Sequence, residues 1–183
     1  MGFHNHAMVA ALVVVISALS LAPGSAAVLP RKIKQPGNLI EQICRKTDYV
    51  NVCIASVTGN LKGKARGISI LNAEIDACAE GTRAALAQVA KLSKSASKEE
   101  KQALSSCKES FGSAINSLTN AKKAIKARDI GTLDSELSAV ITFVSNCNDA
   151  YGDVTGPSPL AKVDNQLIHL GSNCLAIAEQ IRL

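Results

Sequence analysis

Six cysteines are the residues of this chain best able to form metal or covalent bonds. Thiols could ligate zinc, act as nucleophiles or pair as disulfides. Zinc is disfavoured, because no two cysteines have two to four intervening residues and His169 is the only histidine beyond residue 6. We therefore expect no metal site and no cofactor. The six are Cys44, Cys53, Cys78, Cys107, Cys147 and Cys174.

One histidine and several pairs of acidic residues are the candidates for acid–base chemistry. We interpret His169, within a predicted helix, as an ordinary surface histidine. Acidic pairs such as Asp134 with Glu136, or Glu99 with Glu100, are typical of solvated helix surfaces. No convincing catalytic set remains, so we predict that the protein is not an enzyme.

The length and composition indicate a single domain of modest charge. The chain has 183 residues, of which 47% are hydrophobic, with three Phe, two Tyr and no Trp. Alanine and leucine must therefore fill the core. The formal net charge is +5 and the basic residues are scattered, which does not favour nucleic acid as a partner.

The amino terminus has the pattern of a targeting segment. A thirteen-residue, largely apolar run at 9–21 is followed by small residues up to Ala27, and it is too short to span a bilayer comfortably. We predict a secretory signal peptide at 1–27, a basic lead at 28–37 and a helical domain at 38–183. The processed chain would be secreted and would have no membrane attachment, and an uncleaved anchor is the alternative.

The rest of the chain reads as helix. No proline occurs in the 120 residues between Pro36 and Pro157, and four stretches have apolar residues spaced alternately three and four apart. Short connections between long helices favour antiparallel neighbours, which predicts an all-α, up-down-up-down four-helix bundle. The stretches are Ile68–Leu92, Leu104–Ile125, Leu133–Tyr151 and Leu160–Ile181.

Two of these helices have recognisable starts. Ser97 and Glu100 have the spacing of a capping box ahead of the second stretch. Ser158 and Pro159 suit the cap and the first position of the fourth helix.

Cysteine positions predict how the bundle is cross-linked. Cys44 and Cys53 fit a disulfide-stapled helical hairpin at 38–62, ahead of a bundle at 65–183. Cys107 and Cys147 lie about 22 and 18 residues from the turn near Asp129, so their levels differ by only ~6 Å at ~1.5 Å per residue. We expect these two to form a disulfide between the second and third bundle helices.

The remaining cysteines, Cys78 and Cys174, lie on core faces of the first and fourth bundle helices. Their levels differ by roughly 3 Å, which favours a third disulfide. Free cysteines also pack well as small buried residues, so two unbonded thiols are the alternative.

Small uncharged residues dominate the outward positions of the second and third bundle helices. Solvated helix faces normally carry Lys, Glu and Arg, whereas Ser, Thr and Asn are poor choices there. The pattern favours a flat surface that a partner protein can approach closely, with neutral drift as the alternative. The residues expected to bind the partner are Ser113, Asn116, Ser135, Ser138, Thr142, Ser145 and Asp149.

Four features together resemble the plant inhibitors of pectin methylesterase and acid invertase. They are the pair Cys44 and Cys53 and the stretches ALSSCKESFGSAINSL (103–118), LDSELSAVITFVSNCNDAYGD (133–153) and SNCLAIAEQI (172–181). The resemblance implies a four-helix bundle with an amino-terminal helical hairpin and the two disulfides expected above. It also implies a non-catalytic inhibitor located in the apoplast and cell wall, with the vacuole as alternative.

The resemblance leaves the target enzyme to be chosen. In the esterase inhibitors this part of the bundle covers the substrate cleft, and Thr142 in LSAVIT matches the threonine of their LSAALT-like stretch. The invertase inhibitors instead use a Pro-Lys-Phe loop, for which 126–131 has neither proline nor phenylalanine. We favour a one-to-one complex with pectin methylesterase. An acid invertase inhibitor and a non-inhibitory secreted bundle are the alternatives.

Overall fold

The computed structural model describes residues 39–152, 154 and 156–181. The predicted signal peptide and basic lead lie outside the described residues. Within them the chain is all-helical, and none of the helices is long and apolar enough to cross a membrane. The helices are α1 (Leu39–Cys44), α2 (Val50–Asn60), α3 (Gly67–Leu92), α4 (Lys98–Ala127), α5 (Ile130–Asp149) and α6 (Ala161–Gln180).

Helices α3 to α6 form the predicted four-helix bundle. Each packs against two others, α3 against α4 and α6, and α5 against α4 and α6. The apolar stripes of α4 and α5 are buried along their whole length, and Phe111 is the largest fully buried side chain. Burying one apolar stripe from each helix stabilises the bundle through the hydrophobic effect.

Two of the predicted stripes differ from the structure at single positions. Ile68, predicted in the core, is 44% exposed, because it lies in the first turn of α3 at the end of the bundle. In α6, Asp164 is buried whereas the adjacent Val163 is only half-buried.

One helix start is confirmed and the other is shifted. The backbone N–H of Glu100 donates to Ser97 Oγ at 3.2 Å, and the N–H of Ser97 donates to Glu100 Oε2 at 2.7 Å, as in a capping box. The expected start of α6 at Ser158 and Pro159 is wrong, since the helix begins at Ala161. Ser158 Oγ accepts from the N–H of Leu160 at 3.1 Å, which forms a turn before the helix.

The amino-terminal hairpin consists of α1 and α2, joined by the Cys44–Cys53 disulfide. It packs against α3 and α6. Asn173 of α6 holds the α1–α2 connection, because its side-chain amide donates to the carbonyl and accepts from the N–H of Tyr49, both at 3.2 Å.

A second disulfide, Cys107–Cys147, joins α4 to α5 as predicted, with Cα atoms 4.3 Å apart. Closing a loop of this length contributes about 4 kcal/mol in the chain-entropy picture.

The expected third disulfide is wrong, because Cys78 and Cys174 are free and fully buried. Their matching levels describe only the separation along the helix axes. A disulfide also requires the two Cβ atoms to point towards each other at a suitable distance. Burial raises the pKa of Cys78 to about 12 and that of Cys174 well above its ordinary value. Both thiols therefore remain protonated within the core.

Candidate functional site

Five of the predicted contact residues lie along one side of α5. Ser135, Ser138, Thr142 and Asp149 are exposed, and Ser145 is half-buried. At ~100° per residue their positions fall within an arc of ~80°. The helix therefore presents them as one continuous strip.

The two predicted residues of α4 lie at levels of the bundle that this strip also spans. Asn116 is exposed and Ser113 is half-buried. The side-chain amide of Asn120 donates to Glu136 Oε1 at 3.1 Å, which sets the register of the antiparallel pair. From that register, Asn116 lies level with about residue 140 and Ser113 with about residue 143. We call the seven predicted residues together the α4–α5 face.

The charge distribution of this surface is uneven. Helix α5 has no lysine or arginine, and residues 110–121 of α4 include no charged residue. Asp149 is the charged member of the α4–α5 face and lies at the end of α5. The centre of the face therefore consists of short, uncharged side chains.

Hydroxyl groups on and beside this face donate back to their own helices. Thr142 Oγ1 donates to the carbonyl of Ser138 at 3.3 Å, and Thr119 Oγ1 donates to the carbonyl of Ile115 at 2.9 Å. A hydroxyl whose proton is already bonded costs less to remove from water than an unsatisfied one.

The connection between α4 and α5 is short and ordered. Arg128 has left-handed backbone angles (φ 58°, ψ 33°) and ends α4, while Asp129 caps α5 by accepting from the N–H of Thr132 at 3.0 Å. Hydrogen bonds from the side chain and backbone of Thr132 lower the pKa of Asp129. Ile130, which follows, is 52% exposed.

Sequence reasoning missed two buried carboxyl groups. Glu74 of α3 is fully buried, and burial raises its pKa to about 7 although the Ser56 hydroxyl donates to it. Asp164 of α6 is 1% exposed, and burial raises its pKa to about 7 as well. The burial of Glu74 could have been predicted from its position in the sequence. It lies three residues after Leu71 and four before Cys78, within the apolar stripe of α3.

His169 differs from the surface histidine that was expected. Its ring stacks on that of Tyr49, with ring centroids 3.6 Å apart and an interplanar angle of 18°, and it is half-buried. The stack holds the α1–α2 connection against α6. Among the described residues, no group of three or more His, Cys, Asp or Glu side chains is placed to hold a metal ion.

Comparisons with known proteins agree with this architecture. A pectinesterase inhibitor of Actinidia deliciosa is 25% identical over 149 residues, which are 80% of this chain and 80% of the relative. The crystal structure of mutant form A of a pectin methylesterase inhibitor from Arabidopsis matches 78% of this chain and 96% of its own, with a TM-score of 0.67 and 18% identity.

A second crystal structure, of a pectin methylesterase inhibitor from Arabidopsis thaliana, matches with a TM-score of 0.59 and 17% identity, over 78% of this chain and 95% of its own. At such identities the structural matches establish the fold alone. The family described as plant invertase/pectin methylesterase inhibitor matches residues 38–177, which include all six cysteines and every residue of the α4–α5 face. The chain therefore belongs to the plant invertase/pectin methylesterase inhibitor family.

Proposed function

We propose that this protein is a secreted inhibitor of pectin methylesterase that covers the substrate cleft of the enzyme without covalent chemistry. The observation that carries the proposal is the α4–α5 face, whose side chains are short, exposed or half-buried, and uncharged except for Asp149. The name of the Actinidia relative and membership of an inhibitor family support the inhibitory role.

The physical properties of the face suit protein binding. Short side chains lose little conformational entropy when a partner covers them. The Cys107–Cys147 disulfide fixes α4 relative to α5, so that the surface is formed before the partner arrives.

The connection between α4 and α5 favours an esterase over an invertase. Only Arg128 and Asp129 separate the two helices, and both are used in ending one helix and starting the next. This leaves no extended loop that could enter a glycosidase active site. Inhibition of acid invertase is the alternative, because the family includes both activities.

An extracellular location agrees with the state of the cysteines. Two disulfides in one domain are typical of an oxidising compartment. The predicted signal peptide would direct the chain there.

A paired inhibition assay tests the target. The oxidised protein, purified from a secreting host, is titrated into one plant pectin methylesterase and one acid invertase. We expect pectin demethylation to fall to a plateau at one equivalent, with sucrose hydrolysis unchanged. Loss of sucrose hydrolysis with unaffected demethylation would overturn the esterase assignment.

Arginine substitutions locate the contact. We expect Thr142→Arg and Ser138→Arg each to weaken esterase inhibition at least about hundredfold, because an unpaired charge buried in an interface costs several kcal/mol. Thr58→Arg is the matched control, since Thr58 is an exposed threonine of α2. All three variants should keep the circular dichroism of the parent. Full inhibition by both face variants would place the contact elsewhere on the bundle.

A further inference from the structure

A pocket of about 680 Å³ lies where α2 ends, α3 begins and α4 ends. Its volume falls in the range of small-molecule binding sites. Ala73 and Ile181 provide apolar lining, and the exposed side chain of Ile68 extends along it. None of its lining residues belongs to α5 or to the α4–α5 face.

Three cationic side chains line this pocket. Lys122 of α4 is paired, because its Nζ donates to Asp76 Oδ1 at 2.6 Å. Lys62 and Arg66 are exposed and have no acidic partner among the described residues. An anion entering the pocket would therefore meet two cations whose charge is not neutralised nearby.

The pocket lies within a larger concentration of positive charge, which we call the basic end. The chain has no acidic residue at 49–73 and none at 110–128. The α2–α3 connection and the last turns of α4 thus have no acidic residue of their own, although Asp76 of α3 pairs with Lys122 and Asp129 follows Arg128. The cations of the basic end are Lys62, Lys64, Arg66, Lys122, Lys123, Lys126 and Arg128.

Two asparagines add acceptors to the pocket. The amide groups of Asn60 and Asn72 donate to the carbonyls of Ser56 and Ile68, both at 2.9 Å. Their side-chain oxygens make no hydrogen bond within the described part of the chain, and each can accept from a ligand hydroxyl. Cations beside hydroxyl acceptors suit a ligand that is both an acid and a polyol.

We propose that the pocket at the basic end binds an acidic polysaccharide, with the carboxylate of a uronic acid residue between Lys62 and Arg66. Sugar hydroxyls donate to the asparagine oxygens, and neighbouring carboxylates along the polymer meet the remaining cations of the basic end. The choice of a uronate polymer rests on the proposed function, which places the protein where pectin is demethylated. Because the pocket and the α4–α5 face share no residue, the polymer and the enzyme can be bound at the same time.

Charge reversal tests the proposal on the purified full chain. The variant Lys62→Glu/Arg66→Glu removes both unpaired cations, and Lys98→Glu/Lys101→Glu makes the same change in net charge at exposed positions at the start of α4. Calorimetry with polygalacturonate should give at least about tenfold weaker binding for the pocket variant, as expected for loss of charged hydrogen bonds. The control variant should bind like the parent. Thermal unfolding verifies that both variants are folded.

Two further ligands decide what is recognised. Fully methyl-esterified pectin, which lacks carboxylates, should not bind, whereas binding equal to that of polygalacturonate would overturn the proposal. If the protein bound duplex DNA as tightly as polygalacturonate, the site would be a non-specific basic surface and the proposal would be overturned. The same conclusion would follow if both double variants weakened polygalacturonate binding equally.

Esterase binding is measured separately by gel filtration without pectin, and both double variants should retain it. Retained polygalacturonate binding in a protein that inhibits no esterase would refute the proposed function and leave carboxylate recognition standing. Intact esterase binding with no polygalacturonate binding would refute the pocket alone.

Discussion

The carboxyl group of Glu74 is the least expected residue-scale feature of the core. It lies between α2, α3 and α6, where the Ser56 hydroxyl donates to one oxygen and the side chain of Asn173 lies nearby, with no cation among the described residues paired to it. Burial without a cation favours the neutral acid, which is why its pKa rises to about 7. Between about pH 4.5 and pH 7, the carboxyl group of Glu74 is therefore protonated in the folded protein and ionised in the unfolded chain.

This proton makes stability depend on pH in a defined direction. Between the ordinary pKa of 4.5 and the folded value of about 7, the folded state binds more protons than the unfolded state. The free energy of unfolding should therefore fall as pH rises through this window, by on the order of 2–3 kcal/mol from Glu74. Urea unfolding at pH 4.5 and 7.5 measures the difference.

The substitution Glu74→Gln should reduce this fall, because the amide keeps the shape and has no proton to lose. A residual fall due to Asp164 should persist, since burial raises the pKa of that carboxyl to about 7 too. Glu80→Gln, at an exposed position of the same helix, is the matched control and should retain the parental dependence. An identical pH profile for the Glu74 variant would contradict this account.

At the scale of elements, close helix contacts depend on glycine. A Cβ at Gly171 of α6 would lie 2.9 Å from Ile141 Cγ1 of α5, closer than such atoms normally approach. Ile141 is β-branched and cannot easily rotate away. The absence of a side chain at residue 171 therefore sets how closely α5 and α6 pack.

A pair of alanine substitutions tests this contact. Gly171→Ala should lower the free energy of unfolding by about 1–3 kcal/mol through overpacking. Gly112→Ala in α4 should instead raise it by about 0.5–1 kcal/mol, because alanine is the better helix former and nothing lies within 4 Å of the added atom. Chemical denaturation of both variants gives the comparison, and equal effects would contradict it.

At the scale of the whole molecule, the uncharged surface and the basic surface occupy different regions. The centre of the α4–α5 face is uncharged, whereas the basic end gathers cations from the α2–α3 connection and the end of α4. The two disulfides reinforce different parts, one closing the hairpin and the other joining α4 to α5. No disulfide joins α3 to α6 within the described residues, since Cys78 and Cys174 are free and contribute only packing to the core.

This covalent connectivity predicts the thiol count of the whole protein. The native protein should resist alkylation, because both free thiols are fully buried. Unfolding without reductant should expose two reactive thiols per chain, which mass spectrometry would assign to Cys78 and Cys174. An unfolded chain with no reactive thiol would indicate a third disulfide after all.

Local sequence signals were sufficient for features that depend on one helix or on two helices joined by a short turn. The stripes of α4 and α5, the Ser97 capping box and the Cys107–Cys147 bond all belong to this group. The outward strip of α5 follows from the same periodicity, and its role in binding an enzyme remains a prediction. A short connection leaves little freedom in the relative level of two helices, so counting residues from the turn is enough.

Only the tertiary structure determined the features that depend on how helices distant in sequence are rotated relative to each other. The burial of Glu74 and Asp164, the Tyr49–His169 stack and the unbonded state of Cys78 and Cys174 all depend on contacts between residues far apart in sequence. Periodicity specifies which side of a helix is apolar, but not which side chain of another helix it meets. That choice is made by packing the whole bundle at once, since every contact must fit the same rigid interior.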